Sequence, residues 1–224
     1  MNFSNIKLVI FDMDGTMLDT EPIFMQGWKA ALLEQKLDIS QERFDTAFNA
    51  VIGTNFEHCR RVISEMLAEF DFVKGYDFCT AYKDDFITVN GVPIKPGLFE
   101  LLDRLEELNI KKCVATSTSR DKATHKLQLA NILHRFEVIV GGDEVQESKP
   151  APEIFLKAAA LCGVAPENCL VLEDSAAGTL GAHRAGMRVI TIPDILQPSD
   201  ETRGLATAVM DSLHEVVTAF CVQA

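Results

Sequence analysis

Residues 7–18 read KLVIFDMDGTML, in which a run of apolar residues ends in two aspartates, Asp12 and Asp14. The apolar run is short, continuous and β-branched in part, which is typical of a strand buried on both faces of a sheet. Carboxylates beside a buried core cost free energy unless a partner compensates their charge. The stretch therefore predicts a buried strand whose carboxyl end carries a functional acidic site.

Length and charge limit the classes of protein to consider. The chain has 224 residues and a formal net charge of −12, which fits one domain or a core domain with a smaller insertion. The acidic balance disfavours nucleic acid or an anionic membrane as the main partner. Because no secretion signal or transmembrane run is evident, we expect a cytoplasmic protein, a monomer by default, whose six cysteines are reduced and mostly buried.

Short apolar runs alternate with segments of helical spacing along most of the chain. This alternation predicts an α/β fold with a doubly wound, Rossmann-like parallel sheet. The predicted strands are 6–12, 110–116, 136–142, 168–174 and 187–193, and the predicted helices between them include 98–108, 152–162 and 176–186.

Residues 20–92 break the alternation, because they contain no convincing strand. Their spacing predicts an all-helical cap domain, inserted after the first strand into a catalytic core of residues 1–19 and 93–224. Trp28 shares a helical face with apolar neighbours, which favours core packing. The predicted cap helices lie near 20–36, 40–51, 54–70 and 75–89.

Polar side chains follow four predicted strands, at the edge where doubly wound sheets bind ligands. They are Asp12 and Asp14 after the first strand, Thr116, Ser117, Thr118 and Ser119 after the second, Lys149 past the third, and Glu173 with Asp174 at the fourth. Such a set suits metal-assisted phosphoryl transfer, because carboxylates bind Mg²⁺ and can also attack phosphorus. A lysine and hydroxyl groups would bind and neutralise the phosphoryl oxygens.

Gly15 permits a tight bend after Asp14. The bend would turn the carboxyl group of Asp14 toward the leaving group and its carbonyl toward the metal ion. Asp14 is therefore the candidate general acid and base.

Four motifs occur in a fixed order: D-x-D-G-T, a Thr or Ser after the second strand, S-K-P-A-P and L-E-D-S-x-x-G. Together they resemble the haloacid dehalogenase superfamily, phosphatase branch, with a helical cap of the first class. The resemblance implies that Asp12 is the nucleophile and Asp14 the acid and base. It further implies that Thr116 and Ser117 bind phosphate with Lys149, that Asp12, Asp174 and the Asp14 carbonyl ligate Mg²⁺, and that Glu173 lies at or just behind the metal shell.

The resemblance implies hydrolysis of a small phosphorylated metabolite, most simply a sugar phosphate, through an aspartyl-phosphate. The alternative is a phosphomutase similar to the β-phosphoglucomutase-like group. In that group the cap carries a histidine and an arginine where Phe24 and Phe56 stand here, which disfavours the mutase. A receiver-like signalling module is a third possibility, which the cap-sized insertion disfavours.

Several cap residues could contact a substrate. They are Glu21, Gly53, Thr54, Asn55, Arg60, Arg61 and Lys83. Each charged residue also suits a solvated helix position, and Gly53 also suits a break between helices.

Overall fold

The structure, a computed structural model, describes residues 3–51 and 56–221. The chain divides into two compact units. The sheet unit comprises Met1–Asp19 and Val92–Ala224, and the helical unit comprises Thr20–Gly91. Among the described residues, no helix is long and apolar enough to cross a lipid bilayer.

The helical unit packs around Trp28, which is 2% exposed. The Trp28 ring lies 4.9 Å from the ring of Phe48 and 5.7 Å from that of Phe72, so the prediction that it packs in a core is confirmed. Asp71 caps the last helix by accepting a hydrogen bond from the backbone of Lys74, which explains a start earlier than predicted. The helices are α1 (Glu21–Glu34), α2 (Gln41–Asn49), α3 (Phe56–Met66) and α4 (Phe72–Asn90).

The sheet unit contains a parallel sheet with the strand order β3-β2-β1-β4-β5-β6. Its strands are β1 (Leu8–Phe11), β2 (Lys111–Ala115), β3 (Val138–Val140), β4 (Cys169–Glu173), β5 (Arg188–Thr191) and β6 (Ala208–Val209). Strands β2 and β3 lie on one side of β1, and β4, β5 and β6, which follow them in the chain, lie on the other side. The predicted doubly wound fold is therefore confirmed. The topological switch point lies at the carboxyl end of β1, between its neighbours β2 and β4.

Helices accompany the sheet in the order α5 (Leu98–Glu107), α6 (Arg120–Leu129), α7 (Glu153–Cys162), α8 (Ala176–Arg184), α9 (Asp200–Leu205) and α10 (Leu213–Cys221). Strands β1 and β4 are buried along their whole length, as their continuous apolar sequences predict. Leu8 and Ile10 belong to a buried cluster that includes residues of α7 and α8. The small residues of α8 permit close packing, because a Cβ added at Gly181 would lie 3.1 Å from the Phe155 ring. The six cysteines, all within the described residues, form no disulfide, and four of them are buried.

Candidate active site

A tight turn holds the two aspartates at the end of β1. The backbone N–H of Asp12 donates to the carbonyl of Leu172, so Asp12 still belongs to the sheet ladder. The N–H of Gly15 then donates to the carbonyl of Leu18 at 2.9 Å, which closes the turn. Gly15 has φ +88°, a conformation that residues with a side chain rarely adopt. Asp12 and Asp14 therefore leave the strand at the switch point of the sheet.

The same turn approaches the end of β4. A Cβ added at Gly15 would lie 2.5 Å from Oδ2 of Asp174, so a side chain there would displace this carboxylate. The buried hydroxyl of Thr16 donates to Oδ1 of Asp174 at 3.0 Å. The backbone conformation and the close approach of Asp174 thus both require glycine at position 15. The contacts of Gly15 and Thr16 with Asp174 connect the first motif to the fourth.

Lys149 links the motifs on the other side of the site. Its Nζ donates to Oδ1 of Asp12 at 2.5 Å, to Oε1 of Glu173 at 2.7 Å and to the carbonyl of Ala115 at 3.2 Å. The ammonium group also lies 5.1 Å from the centre of the Phe155 ring. With a side chain only 6% exposed, Lys149 is a buried cation that draws together residues from β1, β2 and β4.

The electrostatics of this cluster show an excess of negative charge. Burial raises the pKa of Asp12 to about 7 against the lowering effect of Lys149, and Glu173 adds to the rise. Burial, followed by the charges of Glu173 and Asp12, raises the pKa of Asp174 well above its ordinary value. Burial alone would lower the pKa of Lys149, but Asp12 and Glu173 raise it above its usual range. One lysine therefore does not balance the carboxylates around it.

These residues fit a hard divalent cation. Mg²⁺ takes one or two carboxylates and completes its shell with waters and phosphate oxygens, and Asp12 and Asp174 offer such a pair. Among the described residues, no group of three or more His, Cys, Asp or Glu side chains forms a metal cage on its own. A pair of carboxylates suits an ion whose remaining ligands come from solvent and substrate.

Glu173 has protein partners at both oxygens. Oε1 accepts from Lys149, and Oε2 accepts from the backbone N–H of Ser175 at 2.7 Å and from its hydroxyl at 2.8 Å. A Cβ added at Gly178 would lie 1.7 Å from Oε1, so α8 leaves room for this carboxylate only because position 178 is glycine. These contacts fit a group that orients Lys149, while direct ligation of Mg²⁺ by Glu173 stays a prediction.

The loop after β2 carries the predicted phosphate-binding residues. Thr116 is buried, and its hydroxyl accepts a hydrogen bond from the N–H of Thr118 at 3.1 Å. Ser117 is exposed, and its carbonyl packs so closely on Gly142 that a Cβ there would lie 2.4 Å away. Because Lys149 donates to the carbonyl of Ala115, the loop begins directly beside the buried lysine.

Two contacts of Asp14 are not predicted from the sequence, although Thr118 is expected at this edge of the sheet. Nζ of Lys126 donates to both oxygens of Asp14, at 2.7 and 2.9 Å, and the hydroxyl of Thr118 donates to Asp14 Oδ2 at 2.8 Å. A signal was present, because Lys126 occupies the same helical face as the buried Ala123 and Leu127. A lysine on an apolar face needs a partner of opposite charge.

The cap candidates belong to the helical unit, and their substrate contacts stay predictions. Gly53, Thr54 and Asn55 lie outside the described residues. Glu21 begins α1, and Nζ of Lys83 lies 4.9 Å from the centre of the Phe24 ring. Two exposed arginines of α3 form ion pairs within their own helix, Arg60 with Glu57 at 2.9 Å and Arg61 with Glu65 at 3.5 Å.

Comparison with known proteins identifies the family of this chain. Residues 9–192 match the haloacid dehalogenase-like hydrolase family. The chain is 33% identical over 208 residues to protein CbbY of Rhodobacter capsulatus, covering 89% of this chain and 88% of that protein. It is 32% identical over 203 residues to (DL)-glycerol-3-phosphatase 2 of Arabidopsis thaliana, covering 85% and 80%.

A solved structure has the same fold. It is a haloacid dehalogenase-like protein from Agrobacterium tumefaciens, which superposes with a TM-score of 0.81 at 26% identity, covering 97% of this chain and 98% of that one. The family match, over residues 9–192, includes the four motifs and the segment inserted after β1. The chain therefore belongs to the haloacid dehalogenase-like hydrolase family, as its four motifs predict.

Proposed function

We propose that this hydrolase is a Mg²⁺-dependent phosphatase that hydrolyses a small phosphomonoester through an aspartyl-phosphate on Asp12. The observation that carries the proposal is the contact of Lys149 with both Asp12 and Glu173, beside the turn that joins Asp12 to Asp174. A nucleophilic carboxylate, a buried cation and a carboxylate pair for a metal ion then share one edge of the sheet. Sequence similarity to a protein named as a glycerol-3-phosphatase supports a small polyol or sugar phosphate as the substrate class.

In the first step, an oxygen of Asp12 attacks phosphorus, and the bond between phosphorus and the ester oxygen breaks. Asp14 gives its proton to the leaving oxygen, so an alcohol departs rather than an alkoxide. Lys149 offsets repulsion between the anionic nucleophile and the anionic substrate, and the Thr116 hydroxyl with nearby N–H groups holds the phosphoryl oxygens.

In the second step, water attacks the phosphorus of the aspartyl-phosphate. Asp14, now a carboxylate, accepts a proton from this water, and the bond between phosphorus and Asp12 breaks. Inorganic phosphate leaves, and both aspartates return to their starting protonation states. When bound, Mg²⁺ supplies charge neutralisation for the transferring phosphoryl group, and Asp12, Asp174 and the Asp14 carbonyl would hold it.

The helical unit supports hydrolysis over mutase chemistry. The Phe24 ring packs against Trp28 at 5.5 Å and Tyr76 at 6.0 Å, and the Phe56 ring packs against Tyr76 at 4.8 Å. Phenyl rings cannot transfer a proton or pair with a second phosphate group. These two positions therefore lack the groups that a sugar bisphosphate intermediate would require.

The test is phosphate release from a panel of sugar, polyol and aryl phosphates, with Mg²⁺ and with EDTA. The proposal expects release that needs Mg²⁺, that favours small phosphomonoesters, and that disappears in Asp12→Asn. Incubation of a hexose 1-phosphate with its bisphosphate distinguishes the phosphatase from the alternative phosphomutase, because a mutase would isomerise the sugar phosphate without releasing phosphate. Full activity in EDTA, or in Asp12→Asn, would overturn the proposal.

A further inference from the structure

Asp14 is held by two side chains from outside the four motifs. Lys126 of α6 donates to both carboxylate oxygens, at 2.7 and 2.9 Å, and Thr118 donates to one of them at 2.8 Å. The lysine is 112 positions away from Asp14 along the chain. The fold, and not the local sequence, therefore creates this contact.

The burial of Lys126 is costly and calls for an explanation. Its side chain is 7% exposed, whereas that of Asp14 is 21% exposed. The neighbours of Lys126 on the buried face of α6 are Ala123 and Leu127, so an apolar side chain would suit the packing there. Moving a lysine out of water costs free energy, unless attraction to a partner of opposite charge offsets that cost. Packing in the core therefore does not explain an ammonium group at this position, whereas its contact with the Asp14 carboxylate does.

Three donated hydrogen bonds restrict how the Asp14 carboxylate can turn. A general acid must lie within hydrogen-bond reach of the leaving oxygen, and small displacements of a reacting group slow proton transfer severely. The Gly15 turn sets where the Asp14 backbone lies, but it leaves the side chain free to rotate. Lys126 and Thr118 supply the restraint that the turn lacks.

We propose that Lys126, assisted by Thr118, is a positioning residue that orients the carboxyl group of Asp14, whose protonated form gives its proton to the leaving oxygen. The inference rests on the proposed function, in which Asp14 is the general acid. Lys126 does not touch the phosphoryl group in this proposal. Its loss should slow formation of the aspartyl-phosphate only from those substrates whose leaving group needs a proton.

The experiment compares two substrates by kcat/KM, which reports the steps through formation of the aspartyl-phosphate. One is 4-nitrophenyl phosphate, whose leaving group departs without protonation. The other is the sugar or polyol phosphate that the unchanged chain hydrolyses fastest. The variants are Lys126→Met, Lys126→Arg and Thr118→Val. The control is Lys112→Met, because the Lys112 side chain is 8% exposed against 7% for that of Lys126, and Lys112 pairs with Glu106, outside the site.

For Lys126→Met we expect kcat/KM to fall by about 10- to 100-fold with the alkyl phosphate and by less than about threefold with the aryl phosphate. Thr118→Val should also lower kcat/KM more with the alkyl phosphate than with the aryl phosphate, but by a smaller factor than Lys126→Met. Lys126→Arg should recover much of the activity of the unchanged chain, because its guanidinium can still donate to a carboxylate. Lys112→Met should leave both values near those of the unchanged chain.

Equal losses with both substrates, or no loss with either, would overturn the positioning role while leaving the phosphatase intact. Failure of the unchanged chain to hydrolyse any phosphomonoester would instead remove the proposed function. A second readout needs no turnover: the ¹⁵N-labelled ammonium resonance of Lys126 should be protected from exchange and should shift in Asp14→Asn. An Nζ signal that is insensitive to Asp14→Asn would show that the contact does not form.

Discussion

Nζ of Lys149 lies 2.5 Å from Oδ1 of Asp12, in a position where both side chains are almost fully buried. The same ammonium group also neutralises Glu173, so a single cation faces two carboxylates from neighbouring strands. A buried ion pair is a strong constraint because removal of one partner leaves an uncompensated charge. The candidate site is therefore also a point on which the stability of the sheet unit depends.

Removing this cation should destabilise the protein. Without Mg²⁺, we expect Lys149→Met to lower the free energy of unfolding by about 3–5 kcal/mol, because Asp12 and Glu173 then lie buried without a counter-charge. Urea unfolding in EDTA measures the change. Lys112→Met is the matched control, since Lys112 is similarly buried but its partner Glu106 is 47% exposed. Equal stability losses in the two variants would show that Lys149 has no special electrostatic role.

The Gly15 turn should control metal affinity. Gly15→Ala forces a Cβ against Asp174, so we expect Mg²⁺ to bind at least about tenfold more weakly, as for other changes that displace a ligand. Titration calorimetry with Mg²⁺ measures the affinity.

Gly163→Ala is the control for backbone strain. Gly163 also has positive φ, at +67°, but nothing lies within 4 Å of an added Cβ. It should lose about 1–2 kcal/mol of stability from the left-handed conformation, with unchanged affinity for Mg²⁺. If Gly15→Ala bound Mg²⁺ as tightly as Gly163→Ala, the contact with Asp174 would be irrelevant to the metal.

Mg²⁺ binding should depend on pH. Because the pKa of Asp12 is about 7 in the absence of metal, its carboxyl group is mostly protonated below that pH, and a bound cation must displace the proton. We expect affinity to weaken by up to about tenfold between about pH 7 and about pH 6 for each proton displaced. Calorimetry in buffers of different ionisation enthalpy would count the protons released. Binding without proton release at about pH 7 would contradict the raised pKa.

Asp174 should destabilise the protein when no metal is present. Its pKa is raised in the folded state, so the unfolded state gives up this proton at lower pH and stability falls as pH rises. We therefore expect Asp174→Asn to raise the melting temperature in EDTA at about pH 8, by about 2–4 °C for each ~1 kcal/mol gained.

With saturating Mg²⁺, the unchanged chain should have a higher melting temperature than Asp174→Asn. The unchanged chain gains stability from the bound ion, and the variant gains less. Exposed Asp38 supplies the comparison, since Asp38→Asn makes the same chemical change away from the site. A melting temperature of Asp174→Asn below that of the unchanged chain in EDTA would refute the charge-crowding argument.

The sequence predicted the fold because the strands that matter are continuous apolar runs, as in β1 and β4. Asp12 and Lys149 were predicted to lie together because parallel strands bring their carboxyl ends to one edge. Strand β6 was not predicted, since two residues are too short to show a period.

The contact of Lys126 with Asp14 was not predicted either, because it depends on how α6 is rotated against the sheet. The face that Lys126 shares with Ala123 and Leu127 indicates that the lysine points inward, but no local pattern shows that it meets Asp14. The substrate contacts predicted for residues of the helical unit, such as Lys83, are equally distant from any motif, because charged residues on helices look alike in a sequence whether or not they bind a substrate.

The central claim is that Asp12 itself accepts the phosphoryl group, and acid quenching followed by peptide mass spectrometry tests it most directly. Wild-type protein quenched within its first turnover should carry one phosphoryl group on the peptide that contains Asp12, and borohydride should reduce that aspartyl-phosphate to homoserine. Asp12→Asn should show neither product. Rapid phosphate release with no phosphoryl group on that peptide, or with the group on another residue, would contradict the account.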